Sequence, residues 1–125
     1  MKLAGKIVAV VVLAFSMVAG ATSFDGNYKF SSRVKNGAPD LQGWKGDMVV
    51  KGGTISRTYK SADGKEERFY IGTIKKEGDV YVVKYTRAYK PEYVGNEHKN
   101  KFIVNGATLS IEATDGKFKE VWTKN

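Results

Sequence analysis

The stretch that most constrains the fold is residues 68–90, with the sequence RFYIGTIKKEGDVYVVKYTRAYK. Its second half alternates residue by residue, and one face carries Tyr81, Val83, Tyr85, Arg87 and Tyr89. A period of two residues is that of a β-strand between two environments, and β-branched and aromatic side chains suit a pleated surface. Gly78 lies in the middle of the stretch and tolerates the positive φ of a tight turn. The stretch therefore predicts a β-hairpin.

The rest of the chain reads as further short strands joined by turn signals such as Gly52-Gly53, Asp63-Gly64 and Asn105-Gly106. About eight strands are predicted, with longer connections only at residues 36–44 and 91–100. Strands that follow one another through hairpins form an antiparallel meander, and eight of them commonly close into a barrel. The sequence therefore predicts an all-β, eight-stranded antiparallel up-and-down barrel. A two-sheet sandwich is the alternative, but it needs a long crossover that only residues 91–100 could supply.

Residues 1–21 are predicted to be a signal peptide, and residues 22–125 a single barrel domain. Lys2 and Lys6 precede an uncharged apolar run at residues 7–15, and Ala19-Gly20-Ala21 resembles a signal-peptidase site. The run is short for a membrane span, although an uncleaved anchor helix is the alternative. We expect an exported protein, periplasmic or extracellular, with no stable membrane span after cleavage. The chain has no cysteine, so neither disulfides nor lipid attachment through cysteine is expected.

The chain is basic, with a formal net charge of +8 from 21 Lys and Arg against 13 Asp and Glu. Such a surplus favours anionic partners, which include a lipid or glycan surface, an acidic envelope protein and an anionic small molecule. The lysines are spread over every segment, so a solvated basic surface is the alternative interpretation. Nucleic acid is an unlikely partner for an exported protein.

Residues 24–29, Phe-Asp-Gly-Asn-Tyr-Lys, resemble the first-strand signature of calycins, the superfamily of lipocalins and fatty-acid-binding proteins. In that signature a Gly-X-Trp begins the barrel and its ring closes the base, and here Tyr28 stands at the Trp position. The chain is most similar to small lipocalin-like domains of exported bacterial proteins. The resemblance implies a non-catalytic barrel that binds a small ligand in its lumen. The usual Arg-X-Tyr of the last strand is absent, because residues 121–124 are Val-Trp-Thr-Lys.

Arginines interleaved with aromatic residues give the candidate binding site. Three arginines share the parity of neighbouring aromatic residues, and we expect these faces to point inward, where a guanidinium favours a carboxylate or phosphate partner. The predicted ligand-binding residues are Arg57, Tyr59, Arg68, Tyr70, Tyr85, Arg87 and Tyr89. The expected ligand is small and amphipathic or anionic. Two alternatives stay open: the arginine faces point outward, or side chains fill the lumen.

Catalysis, a metal site and a cofactor are not expected. Cysteine is absent and His98 is the single histidine, which is expected to face solvent. Glu112 and Glu120 are flanked by residues expected to face outward, so an inward pair of carboxylates is not predicted.

The alternative function is an interaction module with a filled barrel, either for an envelope protein or as an enzyme inhibitor. It would use the loops at residues 36–44 and 91–100, with Trp44 and Tyr93 as anchors, because loop aromatics are frequent among interface hot spots.

Overall fold

The computed structural model describes residues 23–125, and the predicted signal peptide at residues 1–21 lies outside them. Nine strands are present in this part of the chain. In chain order they are β1 Gly26–Lys35, β2 Ala38–Asp40, β3 Lys45–Lys51, β4 Thr54–Lys60, β5 Glu67–Glu77, β6 Val80–Ala88, β7 Glu97–Asn105, β8 Thr108–Ala113 and β9 Phe118–Lys124. A single 3-10 turn, Pro91–Tyr93, lies between β6 and β7. Within residues 23–125 no helix has the length and apolar character needed to cross a membrane.

Eight of these strands form a closed antiparallel up-and-down barrel, as the sequence predicted. Each strand from β3 to β8 pairs with the next, β1 pairs with β3, and β9 returns to pair along β1. Full closure removes the exposed edges at which other chains could add a strand. Two details differ from the prediction. Ala38–Asp40, expected in a loop, pairs with the end of β1, and β7 begins at Glu97, so the connection after β6 is shorter than residues 91–100.

Side chains fill one half of the lumen completely. Phe24 stacks on Phe102 with ring centroids 4.8 Å apart and meets Tyr81 edge-on at 5.1 Å. Tyr28, at the position of the calycin Trp, donates a hydrogen bond to the Phe24 carbonyl at 2.6 Å. The other buried apolar residues of this packed half are Met48, Val50, Ile55, Ile74, Val83, Leu109, Ile111 and Trp122. The domain is therefore held by a continuous apolar core at one end of the barrel.

Two β-bulges decide which arginines face the lumen. Val121 pairs with Ser32 but Trp122 pairs with Phe30, so β1 carries one extra residue, and the side chain of Arg33 turns inward. An extra residue shifts the inward-facing parity of the strand beyond it.

The second bulge lies in β6. Ile71 pairs with Arg87 but Gly72 pairs with Tyr85, so Thr86 is the extra residue, and its hydroxyl donates to the Ile71 carbonyl at 3.2 Å. Arg87 is consequently exposed. The predicted inward orientation of Arg87 is wrong because the alternation breaks at Thr86, directly after Tyr85.

The β6 bulge predicts that Gly72→Ala destabilises the barrel. A Cβ at residue 72 would lie 2.4 Å from the carbonyl oxygen of Lys84, which belongs to the opposing backbone and cannot move aside. We expect a loss of about 2 kcal/mol or more in the free energy of unfolding, measured by urea denaturation. The exposed neighbour Thr73→Ala serves as the control and should change it by less than about 1 kcal/mol. Equal stability of both variants would contradict this account of the bulge.

Candidate ligand-binding site

The other half of the lumen holds a cavity of about 370 Å³. Several strands contribute an apolar residue to the packed half and a polar or aromatic one to this half. In β4, for example, Ile55 belongs to the core while Arg57 and Tyr59 line the cavity. The lining residues are Arg33, Lys35, Asn36, Arg57, Tyr59, Tyr70, Tyr85, Tyr93, Asn96, His98, Asn100, Ala113, Asp115, Lys117, Phe118 and Glu120. One half of the lumen is therefore packed with apolar side chains, and the other half holds the cavity.

Glu120 is the centre of the polar half, and none of its surface is exposed to solvent. Its Oε1 accepts hydrogen bonds from Arg57 Nη1 and from the Trp122 indole, both at 3.0 Å. Its Oε2 accepts a short hydrogen bond from the Tyr59 hydroxyl. Arg33 Nη1 lies 3.6 Å from the same oxygen. Both carboxylate oxygens are therefore occupied by protein donors, which is how a buried charge is stabilised.

Arg57 carries the charge that faces the cavity. Its Nη2 donates to the Tyr85 hydroxyl at 2.7 Å, opposite the bond that its Nη1 makes with Glu120. Burial alone would lower the pKa of Arg57, but Tyr59, Tyr85 and Glu120 together raise that pKa well above its usual value. Its Nε is buried and has no hydrogen-bond partner among the described residues. Arg57 is therefore a permanently charged group in a fixed orientation.

Arg33 is a second guanidinium, on β1, where it is the cross-strand partner of Glu120. Its Nε lies 3.2 Å from Asp40 Oδ2, a carboxylate that is partly open to solvent. Its guanidinium also lies over the rings of Phe118 and Tyr59, at 5.2 and 5.5 Å from their centroids. Since Glu120 contacts both guanidiniums, one buried carboxylate is shared between two buried cations.

The lining as a whole has a positive balance. Four cations, Arg33, Lys35, Arg57 and Lys117, face two carboxylates, Asp115 and Glu120, which leaves the lining a formal charge of +2. Asp40, which pairs with Arg33 beside the cavity, reduces this surplus to +1. His98 adds none near neutral pH, because burial and then Arg57 lower the pKa of its imidazole. A concave site with a surplus of one sign concentrates ions of the other sign.

Aromatic rings form the rest of the wall. Tyr70 lies beside Tyr85 with centroids 5.1 Å apart, and it faces Tyr93 at 6.2 Å with an angle of 20° between the ring planes. Tyr85 also contacts His98 at 5.1 Å. Burial, and then Tyr89, raise the pKa of Tyr70, so its hydroxyl stays protonated.

Four of the seven predicted ligand-binding residues line the cavity: Arg57, Tyr59, Tyr70 and Tyr85. The other three do not, and Arg87 points away as described above. Arg68 lies over the Trp44 ring at 4.9 Å and pairs with Glu66 at 3.0 Å. Tyr89 packs edge-on against Tyr70 and Tyr93.

Several important residues were not expected at the site. Glu120, which was not predicted as part of an inward carboxylate pair, is buried at the cavity. His98 is exposed, as predicted, and it also lies at the cavity wall. Glu120 shares the parity of Phe118 and Trp122, and this signal could have placed it inside. Arg33 could not have been placed, since the β1 bulge determines its direction. The expected loop anchors also differ, because Trp44 is half-buried under Arg68 and Tyr93 lines the cavity.

Two solved structures resemble this barrel. A lipocalin lipoprotein affecting virulence in Streptococcus pneumoniae matches with a TM-score of 0.54 and 21% identity, over 86% of this chain and 98% of that one. The fold is lipocalin-like. An uncharacterized protein from Bacteroides eggerthii matches with a TM-score of 0.58 and 9% identity, over 82% of this chain and 100% of the other. No protein-family model matches the chain, and no curated protein matches it in sequence.

The lipocalin-like barrel offers no cluster of metal ligands in its described part: residues 23–125 contain no group of three or more His, Cys, Asp or Glu side chains placed to hold an ion. The two carboxylates at the cavity also already have protein partners. Asp115 Oδ1 accepts from the Lys117 amide at 2.9 Å, and Glu120 has the donors given above.

The contacts of Glu120 predict its contribution to stability. Glu120→Ala would leave Arg57 charged and unpaired in the interior, so we expect a loss of about 3–5 kcal/mol in the free energy of unfolding, measured by urea denaturation. The double variant Arg57→Met/Glu120→Gln removes both charges, and its glutamine can still accept from Trp122 and donate to Tyr59. It should lose clearly less stability than Glu120→Ala.

Glu112→Ala is the matched control, because Glu112 forms only a partly exposed ion pair with Lys119 at 3.8 Å. We expect a change below about 1 kcal/mol. The interpretation fails if Glu112→Ala and Glu120→Ala unfold at the same urea concentration.

His98 provides a prediction about pH. Its imidazole should titrate below the ordinary value of 6.5 when followed by NMR, because burial and Arg57 oppose the charged form. In Arg57→Met/Glu120→Gln the midpoint should rise. Because the folded pKa lies below the unfolded one, this group reduces stability as pH falls below 6.5, and His98→Gln should remove that part of the acid sensitivity. A midpoint at or above 6.5 in the wild-type protein would contradict the prediction.

Proposed function

We propose that this chain is an exported, non-catalytic binding protein that holds a small anionic ligand in the open half of its barrel. The lipocalin-like fold supports a ligand-binding role. The observation that carries the proposal is the arrangement of Arg33 and Arg57, two buried guanidiniums that share Glu120 beside a cavity whose lining has more cations than carboxylates. An anion in that cavity would offset this positive surplus.

The absence of a free acid-base pair supports a non-catalytic role. General acid-base catalysis needs a group within reach of the substrate that can give or take a proton near neutral pH. Glu120 is saturated by protein donors, and Tyr59 keeps its proton because burial raises its pKa well above the usual value. His98 also lies at the cavity, and burial and then Arg57 lower the pKa of its imidazole.

Export is supported by the signal-peptide pattern of residues 1–21 and by the likeness to a streptococcal lipocalin lipoprotein. We therefore assign the protein to the periplasm or the extracellular medium. A ligand there would come from outside the cytoplasm.

The alternative role, an interaction module built on a filled barrel, has less support. The cavity contradicts its premise of a filled lumen. Its two anchors are also engaged within the protein, since Trp44 is covered by Arg68, and Tyr93 packs against Tyr70 and Tyr89.

The experiment is native mass spectrometry of the protein purified from its own host, compared with Arg57→Met/Glu120→Gln. The wild-type protein should retain a small molecule that is negatively charged after release, and the variant should retain much less. Circular dichroism should first show that the variant is folded. A wild-type spectrum without an adduct, or equal adducts in both proteins, would refute the proposed function.

A further inference from the structure

We propose that the ligand is a compact aromatic anion in which the charged group is attached directly to a single ring, and that a long acyl chain is excluded. This inference rests on the proposed function and names the class of ligand for the same cavity. Three properties of the site lead to it: the volume of the open half, the closure of the packed half, and the position of the rings relative to Arg57.

The volume sets the size. An apolar cavity of about 150 Å³ holds benzene, so the cavity of about 370 Å³ has room for a single substituted ring. The chain of a long-chain fatty acid would extend beyond it, either into the other half of the barrel or out into water, where its apolar surface gains nothing from burial.

The packed half leaves no path for such a chain. Leu109 is fully buried, and Met48 and Ile55 are 1% and 2% exposed. Beyond them, the interlocked rings of Phe24, Tyr81 and Phe102 occupy the lumen. Interiors packed to this density have no space for a methylene chain unless side chains are displaced.

The rings around the cavity point to an aromatic ligand. Tyr70, Tyr85 and Tyr93 line the cavity, and the Tyr70 ring contacts both of the others. Aromatic pairs with offset or edge-to-face geometry gain about 0.5–1.5 kcal/mol beyond their area burial. A flexible aliphatic body lacks this gain and loses more conformational freedom on binding.

The distances place the Arg57 guanidinium next to two tyrosine rings of the cavity wall. The Arg57 guanidinium lies 5.5 Å from the Tyr70 ring centroid and 5.9 Å from that of Tyr85. A ligand with its anionic group at Arg57 therefore has its next atoms among these tyrosines. An aryl phosphate or an aromatic carboxylate has that shape, with no spacer between ring and charge.

The test is isothermal titration calorimetry with five probes: phenyl phosphate, benzoate, butyl phosphate, inorganic phosphate and palmitate. We expect phenyl phosphate to bind about tenfold more tightly than butyl phosphate, which has the same charged group without the ring. Benzoate should bind, and its affinity relative to phenyl phosphate distinguishes a carboxylate site from a phosphate site. Palmitate should not bind.

Variants of Tyr93 test recognition of the ligand ring separately from recognition of its anionic group. It lies on the 3-10 turn between β6 and β7 and outside the apolar core, so its replacement leaves the barrel intact. Tyr93→Ala should weaken phenyl phosphate several-fold and leave inorganic phosphate unchanged, whereas Tyr93→Phe should retain the wild-type affinity. Arg57→Met/Glu120→Gln should weaken both phosphates.

The outcomes distinguish this inference from the proposed function. Equal affinities for butyl and phenyl phosphate, or binding of palmitate, would overturn the aromatic class and leave an anion-binding barrel. An unchanged phenyl phosphate affinity in Tyr93→Ala would do the same. Binding of none of the five probes would overturn both proposals.

Discussion

The structure depends on one buried carboxylate. Glu120 contacts donors from three strands: Arg33 of β1, Arg57 and Tyr59 of β4, and Trp122 of its own strand β9. Because β4 and β9 are not neighbours in the sheet, these bonds join walls of the barrel across its lumen. The same bonds keep two guanidiniums in the interior that would otherwise be prohibitively expensive to desolvate. Glu120 thereby lets a single barrel have an apolar half and a charged half.

The division of the lumen follows from the arrangement of residues along each strand. In β4 the inward residues run from Ile55 through Arg57 to Tyr59, whereas in β9 they run from Phe118 through Glu120 to Trp122. Successive antiparallel strands reverse direction, so the apolar residue comes first in one strand and last in the next. The polar half is assembled only when the hairpins place these ends side by side.

The sequence predicted the properties that depend on local pattern and missed those that depend on neighbouring strands. Alternation and turn residues predicted an eight-stranded meander, and the inward parity of Arg57, Tyr59, Tyr70 and Tyr85 was correct, because those properties are local. The directions of the Arg33 and Arg87 side chains were not predictable, because each residue lies just beyond a β-bulge. A bulge is defined by how a strand pairs with its neighbour, which the sequence of one strand does not contain. Glu120 was missed for a different reason: a carboxylate is expected to be exposed until its partners are known. Here those partners are Arg33 on the neighbouring strand β1 and Arg57 on β4.

The same packing that stabilises the barrel restricts what it can bind. Phe24, Tyr81 and Phe102 close the apolar half, and no disulfide stabilises the chain in their place, because it contains no cysteine. Opening that half for a larger ligand would therefore remove the hydrophobic burial on which folding depends. Lining residues that do not contact Glu120, such as Tyr93, lie outside the apolar core, so they can differ in shape and charge at little cost to the fold. Under the proposed function, selectivity would depend on such residues, and the apolar half would set only the limit on size.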